Sequence, residues 1–305
     1  MGFVDRRKMV LTSTFDDNTF IRQRLAFELW DRMDPEHLQI HSASAVLYID
    51  GRYHGLYTVT DHVDRHLMGN LGLLETGNLY KARSYDANFR VKDPIHLGVE
   101  KSEGLSEGDY SDFWQLVTFI DQSSDAEFYS SMGKWLDLRD YRDWWVFVTI
   151  IRAEDSACKN SYHYLEYPGA AARYAPWDFN ASFGQDWTSR RLAPNRVPTY
   201  ANWNRIFERL LESPEQAALL ERRQEALDGV FSPDRVEAMI DDYFDEIEPS
   251  ARRDWKRWRS DYQEFWRWED RQDFASIDEE LDYVRSWYRE RWATLKRYGT
   301  EAASE

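Results

Sequence analysis

The sequence predicts an α+β fold, with a small antiparallel-sheet region at residues 1–108 and a larger helical region at residues 109–305. Two patterns support this prediction. Short alternating segments separated by turn residues such as Asp50-Gly51 fill the first region. Apolar residues at helical spacing dominate the second region from Tyr110 onward. Because no low-complexity linker separates the regions, we expect one two-lobed unit or two closely packed domains.

The composition indicates a globular protein with a large core. Of the 305 residues, 42% are hydrophobic and 16% are aromatic, and most of the 14 tryptophans are expected in the core. The 39 basic and 55 acidic residues give a net charge of −16, which disfavours a nucleic-acid partner. An acidic protein that binds a nucleotide must therefore concentrate positive charge locally or bind a metal ion with it.

The cysteine content and the hydropathy exclude several kinds of site and segment. Cys158 is the only cysteine, which excludes an internal disulfide and a cysteine-based zinc site. It lacks an obvious histidine partner in the sequence, so we interpret it as a small loop residue rather than a nucleophile. No apolar run is as long as a membrane span, and the start of the chain, MGFVDRRKMV, holds no export signal. The compartment stays open.

The first region contains a helix and the clearest hairpin of the chain. Met9-Val10-Leu11 fits a short strand, and Asp17-Asn18-Thr19 supplies an N-cap for an amphipathic helix over Phe20–Met33. Ser44–Thr60 is predicted to form two antiparallel strands around its Asp-Gly turn. The remaining segments are predicted to be a connector helix at Asp61–Met68, an extended segment at Gly77–Ala82 and polar loops at Ser84–Gly108.

The second region is mainly helical. Asp140–Arg152 is so apolar that we expect a buried helix, which leads directly to Asp155. Ser161–Glu166 and Arg173–Ala175 are predicted to pair as a small two-stranded ribbon. Two amphipathic helices are predicted before this helix, at Ser111–Gln122 and Ala126–Trp135. An irregular segment, Gln185–Asn202, follows the ribbon. The rest, Trp203–Tyr298, is predicted to be helical, with helix starts at Ser213-Pro214 and Ser232-Pro233.

Three polar residues are expected to meet at one end of this ribbon. Asp155 follows the buried helix, Asn160 lies five residues later, and Asp178 follows the second ribbon strand. Phosphoryl transfer needs a carboxylate for the acceptor hydroxyl, and an amide and a second carboxylate that hold Mg²⁺. The spacing Asp-x-x-x-x-Asn alone occurs often by chance. Its position between a buried helix and a ribbon makes a metal–nucleotide site our leading hypothesis.

Five segments carry a resemblance to a known family: Phe15–Met33, Tyr48–Tyr57, Gly77–Ala82, Asp155–Tyr164 and Tyr174–Gly184. Their most specific patterns are D-G-x-Y-x-G-L-Y, G-N-L-Y-K and P-W-D-x-[DN]. In this order, across about residues 8–295, they resemble the spore coat protein H (CotH) kinase family. The resemblance implies an atypical protein-kinase-like fold, with a small antiparallel-sheet N-lobe and a helical C-lobe. It further implies ATP- and Mg²⁺-dependent phosphorylation of Ser or Thr in coat or secreted proteins.

By matching position, the resemblance assigns roles to individual residues. Asp155 would be the catalytic-loop aspartate, Asn160 its metal-binding asparagine, and Asp178 the second metal-binding aspartate. Asn180 stands where many relatives have a second acid, so it is a further metal-ligand candidate of altered character. Asp61 stands where relatives usually have Glu, near the expected nucleotide hinge.

Few lysines are available to contact a nucleotide, because the chain has eight Lys against 31 Arg. Lys8, paired with Glu28 on the first helix, is one analogue of the lysine–glutamate ion pair of kinases. Lys81 is the competing nucleotide contact. For each of these side chains the alternative is a solvated surface position. Only eight residues precede the strand at Met9, which suggests that the small lobe is incomplete in this chain.

Two other functions stay open. A non-catalytic coat or surface interaction protein on a kinase-like scaffold would account for the short N-terminal lobe and for Asn180. A carbohydrate-active enzyme would use Asp155 and Asp178 as paired carboxylates in a Trp-lined cleft. Binding of Mg-ATP separates the scaffold from the kinase, because a ligand of the native state raises its stability.

Overall fold

A computed structural model describes residues 3, 5–13, 15–212, 214–264 and 276–301 of the chain. It is an α+β protein whose core runs continuously from the first helix to the last. Within these residues, no helix combines the length and the apolar character needed to cross a membrane.

A three-stranded antiparallel sheet opens the fold. Its strands are β1 (Met9–Ser13), β2 (Ser42–Ile49) and β3 (Arg52–Asp61), in the order β1-β3-β2. Asp50 and Gly51 join β2 to β3 with φ values of 50° and 73°. Two consecutive left-handed residues match the twist of the flanking strands, which is why Asp-Gly favours a tight hairpin. The predicted hairpin is confirmed.

The helices of the first region are displaced by a few residues from the predicted ranges. Helix α1 spans Arg22–Met33, and the Asp17 carboxylate accepts a hydrogen bond of 2.9 Å from the Arg22 amide. Helix α2 spans Arg65–Asn70 rather than Asp61–Met68, because Asp61 is still part of β3. Asp64 is the N-cap of α2 and accepts from the amides of the two residues after Arg65.

A second, four-stranded sheet joins segments from both halves of the chain. It contains β4 (Asn78–Ala82), β5 (Val99–Glu103), β6 (Ser161–Leu165) and β7 (Arg173–Pro176), in the order β5-β4-β6-β7. The predicted two-stranded ribbon of β6 and β7 is therefore half of a larger sheet. The sheet takes two strands from each side of the predicted boundary at residues 108 and 109, and that division stays a prediction.

The prediction of loops throughout Ser84–Gly108 is wrong at β5. Its sequence, Val-Glu-Lys-Ser-Glu, has one apolar residue and no clear strand pattern. An edge strand with polar residues takes its stability from pairing with its neighbour, here β4, and local sequence does not show this.

The helical region is built around a fully buried central helix. Helix α5 spans Leu138–Ile151, and every residue from Trp144 to Ile151 is buried. It packs against α1, α7, α9 and β7. The other helices are α3 (Ser111–Gln122), α4 (Asp125–Trp135), α6 (Arg205–Leu210), α7 (Glu215–Asp228), α8 (Pro233–Glu264) and α9 (Ile277–Glu301). Two prolines were predicted to start helices. Pro233 does so in α8, whereas Pro214 is the N-cap residue and α7 begins one residue later; Ser213 lies outside the described residues.

Candidate active site

Asp155 is placed by the end of the buried helix α5. The helix stops at Ile151 because Arg152 adopts a left-handed conformation with φ of 55°, and a short 3₁₀ turn then begins at Asp155. The indole of Trp144 donates to the carbonyl of Ser156 at 2.8 Å. A scaffold buried on all sides thus fixes the backbone that carries the carboxylate.

Both oxygens of the Asp155 carboxylate have partners. The hydroxyl of Tyr85 donates to Oδ1, and the ammonium group of Lys159 lies 3.0 Å from Oδ2. Lys159 also lies 5.1 Å from the centre of the Tyr85 ring. Neither Tyr85 nor Lys159 was singled out from the sequence. Lys159 could have been found from the sequence, because it lies directly before Asn160 in the Asp-x-x-x-x-Asn pattern. Tyr85 lies in a loop, and no sequence pattern pointed to it.

The structure brings Asp178 next to Asp155. The Ser156 hydroxyl donates to the Asp178 carbonyl at 3.3 Å, which joins the two segments. Burial raises the pKa of the Asp178 carboxyl, and the negative charge of Asp155 adds to the rise, while Lys159 and Lys81 oppose it. Two carboxylates within electrostatic reach of each other and of two lysines form the centre of the site.

Asn160 and Asp178 both have strained backbones. Their φ values are 54° and 61°, in the left-handed region that non-glycine residues enter at a cost. A hydrogen bond holds the backbone of Asn160 in place, because its backbone N–H donates to the Ala82 carbonyl of β4 at 3.0 Å. After Asp178, Phe179 is fully buried, with its ring centre 5.1 Å from that of Phe147 on α5. The central sheet and α5 therefore fix the backbone at both residues.

Lys81 faces the same centre from β4. Its ammonium group lies 5.3 Å and 5.4 Å from the ring centres of Tyr162 and Trp177. Burial lowers the pKa of Lys81 and the Arg83 charge lowers it further, while Glu100 and Asp178 oppose the shift. Among the predicted nucleotide contacts, Lys81 is the one that the structure places beside Asp178.

Asn180 is bound to a carboxylate that the sequence analysis did not assign. Its side-chain amide donates to Asp16, which lies in the loop before α1. Burial raises the pKa of Asp16 to about 6, with Asn180 opposing the rise and the charges of Asp17 and Asp178 adding to it. Asp16 lies in one of the segments that carry the resemblance, but nothing in its spacing pointed to Asn180.

The predicted ion pair between Lys8 and Glu28 is wrong. Glu28 pairs instead with Arg32, one turn along the same helix, at 2.9 Å. Lys8 is exposed just before β1, and no ion pair joins it to Glu28 in the part of the chain that the structure describes. The partner one turn along the same helix is closer than a lysine on the neighbouring strand.

Asp61 is fully buried and has structural partners. Its carboxylate accepts from the Arg6 guanidinium and, at 3.0 Å, from the backbone amide of His41. Burial alone would raise the pKa of Asp61, but the hydrogen bonds from His41 and Arg6 and the Arg6 charge lower it. Its predicted nucleotide contact would require these bonds to break.

Cys158 has the structural character predicted for it. The thiol is buried and lies 3.3 Å from the Tyr85 carbonyl. Burial raises the pKa of the thiol to about 12, with Lys92 opposing and Asp86 adding to the rise. A thiol of this kind stays protonated at neutral pH and is a poor nucleophile.

Three neighbouring cavities, which we call the active-site groove, lie beside Asp155. The first, of 160 Å³, is lined by Asp155, Glu154, Tyr85, Trp187 and Trp203 among others. The second, of 450 Å³, is lined by Tyr85, Asn88, Asn202 and Trp203. The third, of 540 Å³, is lined by Arg152, Glu154 and residues 196–203. Trp203 lines all three, so the three cavities adjoin at that residue.

Comparison with known proteins shows the family. Residues 1–295 match the family model described as CotH kinase protein. The chain belongs to the CotH kinase family. Over 256 residues it is 24% identical to inner spore coat protein H of Bacillus subtilis (strain 168), an alignment that covers 81% of this chain and 69% of that protein. The predicted α+β, kinase-like fold with a small sheet lobe is thereby confirmed for this CotH-type protein.

Proposed function

We propose that this CotH-family protein is a kinase that uses ATP and Mg²⁺ to phosphorylate Ser or Thr of coat or secreted proteins. The observation that carries the proposal is the meeting of Asp155 and Asp178 between Lys159 and Lys81. Membership of the family supports the reaction. The name of the relative, an inner spore coat protein, supports the class of substrate.

Each charged group in this arrangement has a distinct role in the proposed reaction. Asp155 accepts the proton of the acceptor hydroxyl, either beside the Tyr85 hydrogen bond or in its place. Lys159 and Lys81 neutralise negative charge on the transferred and leaving phosphates. A bound Mg²⁺ supplies further neutralisation at the phosphate oxygens.

The residues present fit a hard cation. Burial and the neighbouring charge of Asp155 raise the pKa of Asp178, and a cation beside it would relieve that repulsion. Among the described residues, no three His, Cys, Asp or Glu side chains form a ready metal cluster. Mg²⁺ often keeps few protein ligands and takes the rest from water and phosphate. Asp178 with the amide oxygen of Asn160, and secondarily Asn180, would therefore hold it.

Phosphate transfer from γ-labelled ATP tests the proposal. With Mg²⁺ present, the wild-type protein should label a Ser-containing acceptor or itself, and Asp155→Ala and Asp178→Ala should lose the label while remaining folded by circular dichroism. Asp228→Ala is the matched control, because this surface carboxylate pairs with Lys296 away from the groove. Full labelling by both site variants would contradict the proposal.

One observation favours a second candidate, a non-catalytic kinase-like scaffold. Tyr85 and Lys159 engage both oxygens of the Asp155 carboxylate, so a substrate hydroxyl would have to share an oxygen with one of them or displace it. Thermal unfolding with millimolar Mg-ATP separates the candidates. A rise in Tm that Asp178→Asn abolishes supports the kinase, and an unchanged Tm supports the scaffold.

A further inference from the structure

The 540 Å³ cavity of the active-site groove has a positively charged wall. Arg152 pairs with Glu154 at 3.0 Å, so these two charges offset each other. Arg196 is exposed at the cavity and has no ion pair among the residues that the structure describes. Behind the wall, the fully buried Arg291 donates to the carbonyl of Pro194 at 3.1 Å and to that of Arg196. The loop that carries Arg196 is thus held in place by a second guanidinium.

A buried hydroxyl in the same wall lacks an acceptor. Tyr200 lines the cavity and is 5% exposed, and its hydroxyl donates to no acceptor within the described ranges. The Arg152 guanidinium lies close enough to donate to the hydroxyl, but it carries only donors and cannot accept the hydroxyl proton. Burial raises the pKa of Tyr200, as does the Glu154 charge, which keeps the proton in place. A buried hydroxyl donor of this kind requires a hydrogen-bond acceptor, which is either a water molecule or a bound ligand.

Positive charge exceeds negative charge on this side of the groove. Arg223 is 2% exposed, and two of its nitrogens lack hydrogen-bond partners in the described chain. Burial lowers the pKa of Arg291 to about 10, and the charges of Arg152 and Arg223 add to this shift, with Glu154 opposing it. In a protein of net charge −16, such a local excess indicates a place for an anion.

We propose that this cavity binds the phosphate of a phosphorylated Ser or Thr in the substrate chain. A phosphate accepts hydrogen bonds from the exposed Arg196 guanidinium, and it balances the buried arginines. The Tyr200 hydroxyl is buried in this structure and reaches the phosphate after a shift of its side chain. Trp203 lines both this cavity and the one at Asp155, so the two sites adjoin along one groove. The inference rests on the proposed function, since it takes Asp155 as the transfer site. It adds that acceptors near an existing phosphate are preferred.

Binding of two matched peptides tests the phosphate site without any need for activity. The probes are a fluorescein-labelled Gly/Ser peptide with one phosphoserine and the same peptide without phosphate. Anisotropy should show tighter binding of the phosphopeptide, weakened about tenfold or more by Arg196→Glu and less by Tyr200→Phe. Arg52→Glu, at an exposed arginine of the β2–β3 hairpin, is the control and should bind like wild type. Equal binding of the two peptides, or undiminished binding by Arg196→Glu, would overturn the proposal.

Two further arms identify the source of the phosphate and keep the two proposals separate. Bound phosphopeptide should persist when Mg-ATP is added, and its displacement by ATP would show a nucleotide-phosphate site and overturn the inference. In transfer assays the KM for the phosphopeptide should be about tenfold below that for its twin, and the ratio should approach one in Arg196→Glu. Transfer with equal KM values refutes the phosphate site alone. Phosphopeptide binding without any transfer refutes the proposed kinase activity alone.

Discussion

At the residue scale, two buried carboxylates of this fold have opposite effects on stability. Asp178 is held near Asp155 with a raised pKa, whereas Asp61 is satisfied by Arg6 and His41 with a lowered pKa. A raised carboxyl pKa means that the folded state disfavours the charge, and a lowered pKa means that it favours the charge. The charge on Asp178 therefore costs stability, whereas the charge on Asp61 contributes to it.

Asp178→Asn is expected to stabilise the folded protein. The amide removes a charge that burial and Asp155 both disfavour, and we expect about 1 kcal/mol at pH 7.5 without metal. Urea denaturation measures the difference. Because the same variant is expected to lose its response to Mg-ATP, higher stability with lost binding is the predicted combination. A destabilised variant would show that Asp178 supports the fold.

Asp61→Ala is expected to destabilise the protein strongly. Removal of a fully buried carboxylate leaves the Arg6 charge and the His41 amide without their partner, which costs about 3–5 kcal/mol. Urea denaturation at pH 7 checks the value, and Asp228→Ala serves as a surface control. A loss below 1 kcal/mol would be inconsistent with the buried pair.

The sequence predicted Asp155, Asn160 and Asp178 as neighbours because each lies next to the end of an element that could be located: Asp155 after α5, Asn160 before β6 and Asp178 after β7. It did not predict Tyr85 or Asp16, whose positions depend on loops that tertiary contacts place. Lysine assignment failed for Lys8 because an ion pair on a helix surface has several candidate partners of similar strength.

At the element scale, the four-stranded sheet couples the two halves of the chain. Strand β6 lies between β4 and β7, and all five of its residues are buried. The sequence pattern identified β6 and β7 correctly. It missed the pairing of β6 with β4, because pairing between strands that are distant in sequence leaves no local signal. The position of Asn160, whose amide is bound to β4, follows from that pairing.

His163 of β6 is expected to make stability depend on pH. Its ring is 1% exposed, with Tyr141 at 2.9 Å and Ser161 at 3.1 Å, and burial lowers its pKa to about 3. The unfolded chain binds this proton near pH 6.5, so stability should fall as the pH drops below 6.5. By pH 4.5 the loss is about 3 kcal/mol. Urea denaturation across this range measures the slope.

The control for this prediction is a second histidine. His163→Gln should flatten the pH dependence between 6.5 and 4.5, even though it lowers stability at every pH. His62→Gln, at a partly exposed histidine beside Asp64, should keep the wild-type slope. An equal slope in all three proteins would exclude His163 as the cause.

At the scale of the whole molecule, buried charges join the first and last helices around the site. Arg22 of α1 is fully buried and pairs with Asp17 and, across the core, with Glu280 of α9, each at 2.5 Å. The loop that contains Asp16 precedes this cluster, and Arg291 of α9 holds the loop behind the wall of the groove. Residues from both ends of the chain therefore support the loops around the site. The α+β class was predictable from periodicity, but these long-range ion pairs were not, since charge patterns on helices are degenerate.

In the proposed reaction, Asp155 acts on the acceptor hydroxyl while Asp178 holds the metal and nucleotide. The transfer rate of Asp155→Asn at saturating Mg-ATP separates these two roles. We predict that this variant still shows the Mg-ATP-induced rise in Tm but transfers phosphate about 10²–10⁴-fold more slowly than wild type. Transfer at the wild-type rate would contradict the account.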